Sequence, residues 1–137
     1  MTFKKKRSAQ DLVAEAEAEI TTLSVADVAH RFASDEAVII DLRDVRELWK
    51  DGKIPGAVHV PRGLLEFWVD PENEYHNPIF AEDKDFIFYC AMGWRSALAT
   101  KAVQDMGLER VSHIDGGFKA WREAGHGVEP VEPKKKT

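Results

Sequence analysis

The chain has 137 residues, 44% of them hydrophobic and 31% charged, with a formal net charge of −5. That length fits one domain able to bury a core without staples, and no apolar run approaches the ~20 residues of a membrane helix. The acidic balance argues against general nucleic-acid binding. The basic lead MTFKKKR runs into acidic, helix-like sequence in place of an apolar signal segment, so a cytoplasmic protein without a membrane partner is expected. Residues 8–19 predict an alanine- and glutamate-rich helix capped by Ser8, with a thin apolar stripe suited to packing on a domain surface. Ser24 predicts the cap of a second helix over 25–32. The apolar run AVIIDL at 37–42 predicts a strand buried on both faces. Asp44 then caps a short helix ending near Gly52, and Ile54-Pro55-Gly56 turns the chain into a second strand at 57–60. Residues 66–83 form the longest irregular stretch, rich in aromatics that either pin it to the body or wall a substrate site. A third strand at 85–89 ends directly at Cys90, and a helical stripe runs from Ser96 to Met106 with Gly107 as its stop. A fourth strand at 111–114 and a last helix at 117–123, closed by Gly125, complete the pattern. Strands alternating with helices predict an α/β fold with a mainly parallel central sheet flanked by helices on both faces. The organisation expected is a lead and N-terminal helix at 1–19, one domain at 20–128, and a solvated tail at 129–137.

The chemistry is expected at the single cysteine. One cysteine excludes an intrachain disulfide and a multi-cysteine zinc site, and the five histidines show no i, i+3 or i+4 pairing, so neither metal nor cofactor is expected. A lone cysteine is more often a small buried hydrophobe than a nucleophile. Cys90, however, sits at the carboxyl end of a predicted strand, where ligands of open α/β sheets bind. The loop Ala91-Met92-Gly93-Trp94-Arg95-Ser96 follows, and then a helix. A tight turn at Gly93 can direct successive backbone N–H groups inward, the helix N-terminus adds partial positive charge, and Arg95 adds a full one. All three favour thiolate over thiol and would hold an anionic substrate against the sulfur. Met92 and Trp94 read as pocket walls, with core packing as the alternative. Arg43 and Arg46 read first as salt-bridge partners of Asp41, Asp44 or Glu47, and second as added charge near the mouth. Asp41 reads as structural.

The segment Cys90-Ala91-Met92-Gly93-Trp94-Arg95-Ser96 resembles the active-site loop of the rhodanese family of sulfurtransferases. Three further segments match in order: Asp41-Leu42-Arg43 with Glu47, Gly52-Lys53-Ile54-Pro55-Gly56-Ala57, and Gly116-Gly117-Phe118 with Trp121 and Ala124-Gly125. The resemblance covers roughly residues 20–128 and is similar to a single-domain rhodanese with an added N-terminal helix. Lys53 stands where the family usually has histidine, the Asp41–Gly52 spacing is one residue long, and Gly127 stands where proline is common. The resemblance implies a rhodanese-like fold in which Cys90 takes sulfane sulfur from thiosulfate or a related donor as a persulfide. It also implies that backbone N–H groups of Ala91, Met92, Gly93, Trp94 and Arg95 bind the charged sulfur, while the Arg95 side chain organises the loop. A thiol, cyanide or another protein's cysteine would be the acceptor, since the chain holds no second cysteine. A cysteine phosphatase or arsenate reductase is the competing enzyme class, and its loop in this resemblance is one residue longer. A non-catalytic binding module is the other alternative.

Overall fold

The computed structural model describes residues 3–31 and 34–133. Phe32, the expected end of the second helix, and the lysines at 134–136 of the expected solvated tail lie outside them. Five strands, β1 (Thr22–Leu23), β2 (Ala37–Asp41), β3 (Val58–His59), β4 (Asp85–Tyr89) and β5 (Val111–Ile114), form a sheet in the order β1-β5-β4-β2-β3. Every pairing in it is parallel. Among the described residues, six α-helices surround it: α1 (Ala9–Glu17), α2 (Val25–Arg31), α3 (Val45–Asp51), α4 (Leu65–Val69), α5 (Trp94–Asp105) and α6 (Gly117–Glu123).

The two-residue period of a strand divides the core between the faces of the sheet. Val38, Ile40, Phe86, Phe88 and Val111 point to one side, where Leu65, Val69, Ala99 and Val103 of α4 and α5 cover them. Ile39, Ile87, Tyr89 and Ile114 point to the other, against Val28 of α2 and Phe118 and Trp121 of α6. Burial on both faces explains why β2 and β4 read as unbroken apolar runs in the sequence. Helix α1 begins at a Ser8–Asp11 capping box and lays its thin stripe, Val13 and Ala16, against Ala97 of α5. Lys101 of α5 bonds Glu19 at 3.1 Å beyond the end of α1.

Two features differ from the sequence expectation. The sheet has a fifth strand, β1, whose two residues are too few to show a period. The stretch 66–83 is also more ordered than expected: it contains most of α4 and a 3₁₀ turn at Pro78–Ala81. Phe80 of that turn is buried against Phe86, ring centroids 5.4 Å apart, so this aromatic pins the segment to the sheet.

Chain direction across the sheet reverses between β2 and β4. From β2 the chain moves outward to β3; from β4 it moves outward the other way to β5. Ligands of open α/β sheets bind at such a reversal, outside the carboxyl ends of the strands. Here that crevice lies between Arg43, after β2, and Cys90, after β4.

Candidate active site

Cys90 follows the last residue of β4 and is 1% exposed. Its surroundings are nevertheless polar. The backbone N–H of Gly93 donates to Sγ at 3.2 Å and that of Ser96 at 3.3 Å, while Ser96 Oγ lies 3.5 Å away. These bonds explain where α5 starts. The helix begins at Trp94, two residues before the expected Ser96, with Gly93 as its N-cap in left-handed backbone at φ 98°. Glycine has no side chain to accept the unsatisfied N–H groups of the first turn, and the cysteine sulfur accepts the one at Ser96 instead. A negative sulfur there meets both hydrogen-bond donors and the positive end of a 12-residue helix.

The other side of the loop is fixed by α6. The amide of Phe118 donates to the Cys90 carbonyl at 2.8 Å, and that of Lys119 to the Ala91 carbonyl at 3.0 Å. Such close approach requires glycine at 117, where φ is 60° and a Cβ would collide with the Cys90 carbonyl oxygen and sit 2.9 Å from Ala91 carbonyl carbon and oxygen. Gly117 therefore shapes the loop as well as the helix entry.

Of the amides expected to face the sulfur, Gly93 does so; those of Ala91, Met92, Trp94 and Arg95 make no bond to Sγ among the described residues. Met92 and Trp94 are 44% and 50% exposed, which excludes their core-packing alternative; Met92 lines the cleft beside the loop, and Trp94 is not among its lining residues. The Arg95 guanidinium is bonded to Glu47 at the start of α3, with paired bonds of 2.8 and 3.0 Å. That two-pronged bond holds Glu47 below the usual carboxylate range, and the same carboxylate keeps Arg95 above its ordinary value. Arg95 thus ties the loop to the crevice wall.

Arg43 takes the structural role. It is buried, with Nε and Nη2 bonded to the two oxygens of Asp41 at 3.0 and 2.6 Å, and Nη2 also on the Gly52 carbonyl at 2.7 Å. Its guanidinium lies 4.3 Å from the Phe118 ring centroid. Burial opposes its charge, but the Asp41 bonds outweigh that and raise its pKa. The Tyr89 hydroxyl completes the network by donating to Asp41 at 2.5 Å and accepting from the Ile54 amide at 3.1 Å. Burial, then Asp41, pushes the Tyr89 phenol upward, so it remains a protonated donor. Lys53 points to the Ala57 carbonyl at 2.9 Å, and its backbone pairs with Glu129.

Beside the loop, Ala91, Met92, Lys119, Arg122, Glu123 and Arg43 line part of a cleft of about 230 Å³. A larger hollow, about 570 Å³, lies by Val69, His76 and Met106. Met106 is at the far end of α5, about 18 Å along the helix from Trp94 at 1.5 Å per residue. The larger hollow is therefore remote from the sulfur.

Comparison with known proteins gives the family. Residues 24–124 match the rhodanese-like domain. The chain belongs to the rhodanese-like sulfurtransferase family. Among its rhodanese relatives is the human thiosulfate:glutathione sulfurtransferase, 29% identical over 74% of this chain and 93% of that protein. A mitochondrial thiosulfate sulfurtransferase of Saccharomyces cerevisiae is 33% identical over 74% and 70% respectively. A solved structure from Rhodopseudomonas palustris is 51% identical, covers 94% of this chain and 99% of its own, and superposes with a TM-score of 0.89. It is described as a protein of unknown function and "possible tyrosine phosphatase". Its coverage takes in α1 and the sheet, placing the N-terminal helix within a shared fold.

Ser96 and His113 are site residues beyond those the sequence pattern singles out. Ser96 was visible as the end of the loop motif. His113 lies 17 residues further on, and pairing of β4 with β5 brings it to the site.

Proposed function

We propose that the protein is a sulfurtransferase that carries sulfane sulfur on Cys90. The observation that carries this reading is the Cys90 sulfur held by the Gly93 and Ser96 amides at the head of α5. In the first step the Cys90 thiolate attacks the outer sulfur of thiosulfate or a related donor. The S–S bond of the donor breaks and sulfite leaves with its electron pair, giving a Cys90 persulfide. In the second step a thiolate or cyanide attacks the outer persulfide sulfur, and Cys90 leaves as thiolate. The same donors serve both steps, since they stabilise the nucleophile in the first and the leaving group in the second. With one cysteine in the chain, the acceptor comes from outside, as a small thiol or another protein's cysteine. The cleft beside Ala91 and Met92 is lined by both signs of charge: Arg122 lies 3.5 Å from Asp51 and Arg43 is bonded to Asp41, so Lys119 is the cation on its wall that would meet an anionic donor. A free thiol that must stay reduced between turnovers fits a reducing compartment such as the cytoplasm.

The described relative from Rhodopseudomonas palustris gives a second reading, hydrolysis of an aryl phosphate through a phosphocysteine. Six residues from Cys90 to Arg95 make a small cradle, suited to one added sulfur and tight for a tetrahedral oxyanion. Arg95, committed to Glu47 on both prongs, is not aimed at a phosphoryl group in the loop. Parallel assays decide between them. Thiocyanate release from thiosulfate and cyanide, with no hydrolysis of an aryl phosphate, is the expected result. The opposite pattern would replace sulfur transfer with phosphate chemistry.

A further inference from the structure

His113 is 1% exposed on β5, yet both of its ring nitrogens are engaged. Nδ1 lies 2.9 Å from Ser96 Oγ, and Nε2 lies 3.1 Å from Thr22 Oγ1 on the edge strand β1. Ser96 Oγ is in turn 3.5 Å from the Cys90 sulfur. A continuous chain of exchangeable hydrogens therefore runs from the buried sulfur to Thr22, which is exposed. We propose that His113 is a positioning residue whose tautomer turns the Ser96 hydroxyl toward or away from Cys90, moving the thiol proton along Ser96 and His113 to Thr22. This rests on Cys90 being the reactive group of the proposed function.

The donor count dictates the two states. A hydroxyl has one hydrogen, and a neutral imidazole has one donor and one acceptor nitrogen. With a thiol, S–H donates to Ser96, Ser96 donates to Nδ1, and Nε2–H donates to Thr22. With a thiolate, each bond reverses: Thr22 donates to Nε2, Nδ1–H donates to Ser96, and Ser96 donates to the sulfur. Going from one to the other, the thiol proton passes to Ser96 Oγ and the former Ser96 proton to Nδ1. The Nε2 proton passes to Thr22, whose own hydroxyl proton goes to water. One proton leaves and every other group keeps its count.

The imidazole must stay neutral for this exchange, and its surroundings favour that. β4 presents Phe88 in register with it, β1 presents Thr22, and α5 presents Ser96. Burial holds its pKa below the usual value; Asp115 is the charged group that opposes this. The ring also abuts the loop, since a Cβ on Gly93 would sit 3.9 Å from His113 Cε1.

The test uses the full chain with ¹⁵N-labelled histidine. Ring-nitrogen shifts of His113 are recorded for wild type with Cys90 ionised and again with Cys90 protonated, each state checked by ultraviolet thiolate absorbance. Nδ1–H in the first and Nε2–H in the second is the expected result. The same protonated nitrogen in both overturns the proposal, and that readout does not require sulfur transfer. Iodoacetamide alkylation of Cys90 gives the kinetic arm. His113→Leu and Ser96→Ala should each slow it about tenfold, as loss of roughly one hydrogen bond to a charged sulfur implies. Thr22→Val, an edge substitution, should slow it about threefold. His113→Asn can still donate from the Nδ1 position and should recover most of the rate. Wild-type alkylation by folded His113→Leu and Thr22→Val would also overturn the proposal. If tautomer and alkylation behave as expected while no donor yields a persulfide, sulfur transfer fails and the relay stands.

Discussion

Substituting Gly117 by alanine tests whether α6 shapes the Cys90 loop. An L-residue at φ 60° costs about 1–2 kcal/mol in its own right. The new Cβ would meet backbone on every near side, the Cys90 carbonyl oxygen and the Ala91 carbonyl group, so no side chain can swing aside. Relief requires the loop and α6 to part. That breaks the Phe118–Cys90 and Lys119–Ala91 bonds, each worth about 0.5–1.5 kcal/mol net. Gly117→Ala should therefore lose about 2–5 kcal/mol in urea unfolding, with the Cys90 alkylation rate falling as the sulfur loses its donors. Gly125→Ala is the control. Gly125 has φ 84° but nothing within 4 Å of an added Cβ, so that variant should lose only about 1–2 kcal/mol and keep its cysteine reactivity. If both variants lost the same stability and Cys90 reacted normally in each, the loop would not be held by this contact.

Three further outcomes follow from the buried and paired groups. Tyr89→Phe leaves Asp41 and the Ile54 amide each short of a partner, and should cost about 1–3 kcal/mol in urea unfolding. Arg43→Met removes one partner of a buried ion pair and should cost about 3–5 kcal/mol by the same measurement; an unchanged midpoint would show that Asp41 is satisfied without it. Glu47 is held below its ordinary value of 4.5, first by the Arg95 bond, so its contribution is present above pH 4.5 and fades as pH falls through the depressed value. Because both groups are partly solvated, Glu47→Gln should lose about 1 kcal/mol or less at pH 7, and the difference from wild type should close in acid.

The parts of this fold that read directly from sequence are those where local and tertiary demands coincide. β2 and β4 are apolar because both faces are covered, and α3 shows its Asp44 cap in the sequence, to which the structure adds Glu47 as the other half of a capping box. α5 starts two residues before the expected Ser96 because the acceptor for its Ser96 amide is the Cys90 sulfur, six residues back, and not a capping serine or aspartate. The turn at Pro78–Ala81 did carry a signal, Asn77 before a proline, which the surrounding aromatics obscured. β1 carries none: Thr22 and Leu23 are a strand because β5 offers an edge. The site divides in the same way. Cys90, Gly93 and Arg95 lie in one contiguous motif, whereas the Arg95–Glu47 tie spans 48 residues and the Ser96–His113 contact depends on strand register. The motif does not show that the Arg95 side chain organises the loop through Glu47, since that partner lies on another element.

Mass spectrometry of the intact protein after incubation with thiosulfate tests sulfur carriage on Cys90 most directly. The expected spectrum shows one added sulfur atom on wild type, removed by cyanide and absent from Cys90→Ser. A wild-type protein that stays unmodified with thiosulfate and other sulfane donors, while its alkylation confirms a reachable Cys90, would contradict the account.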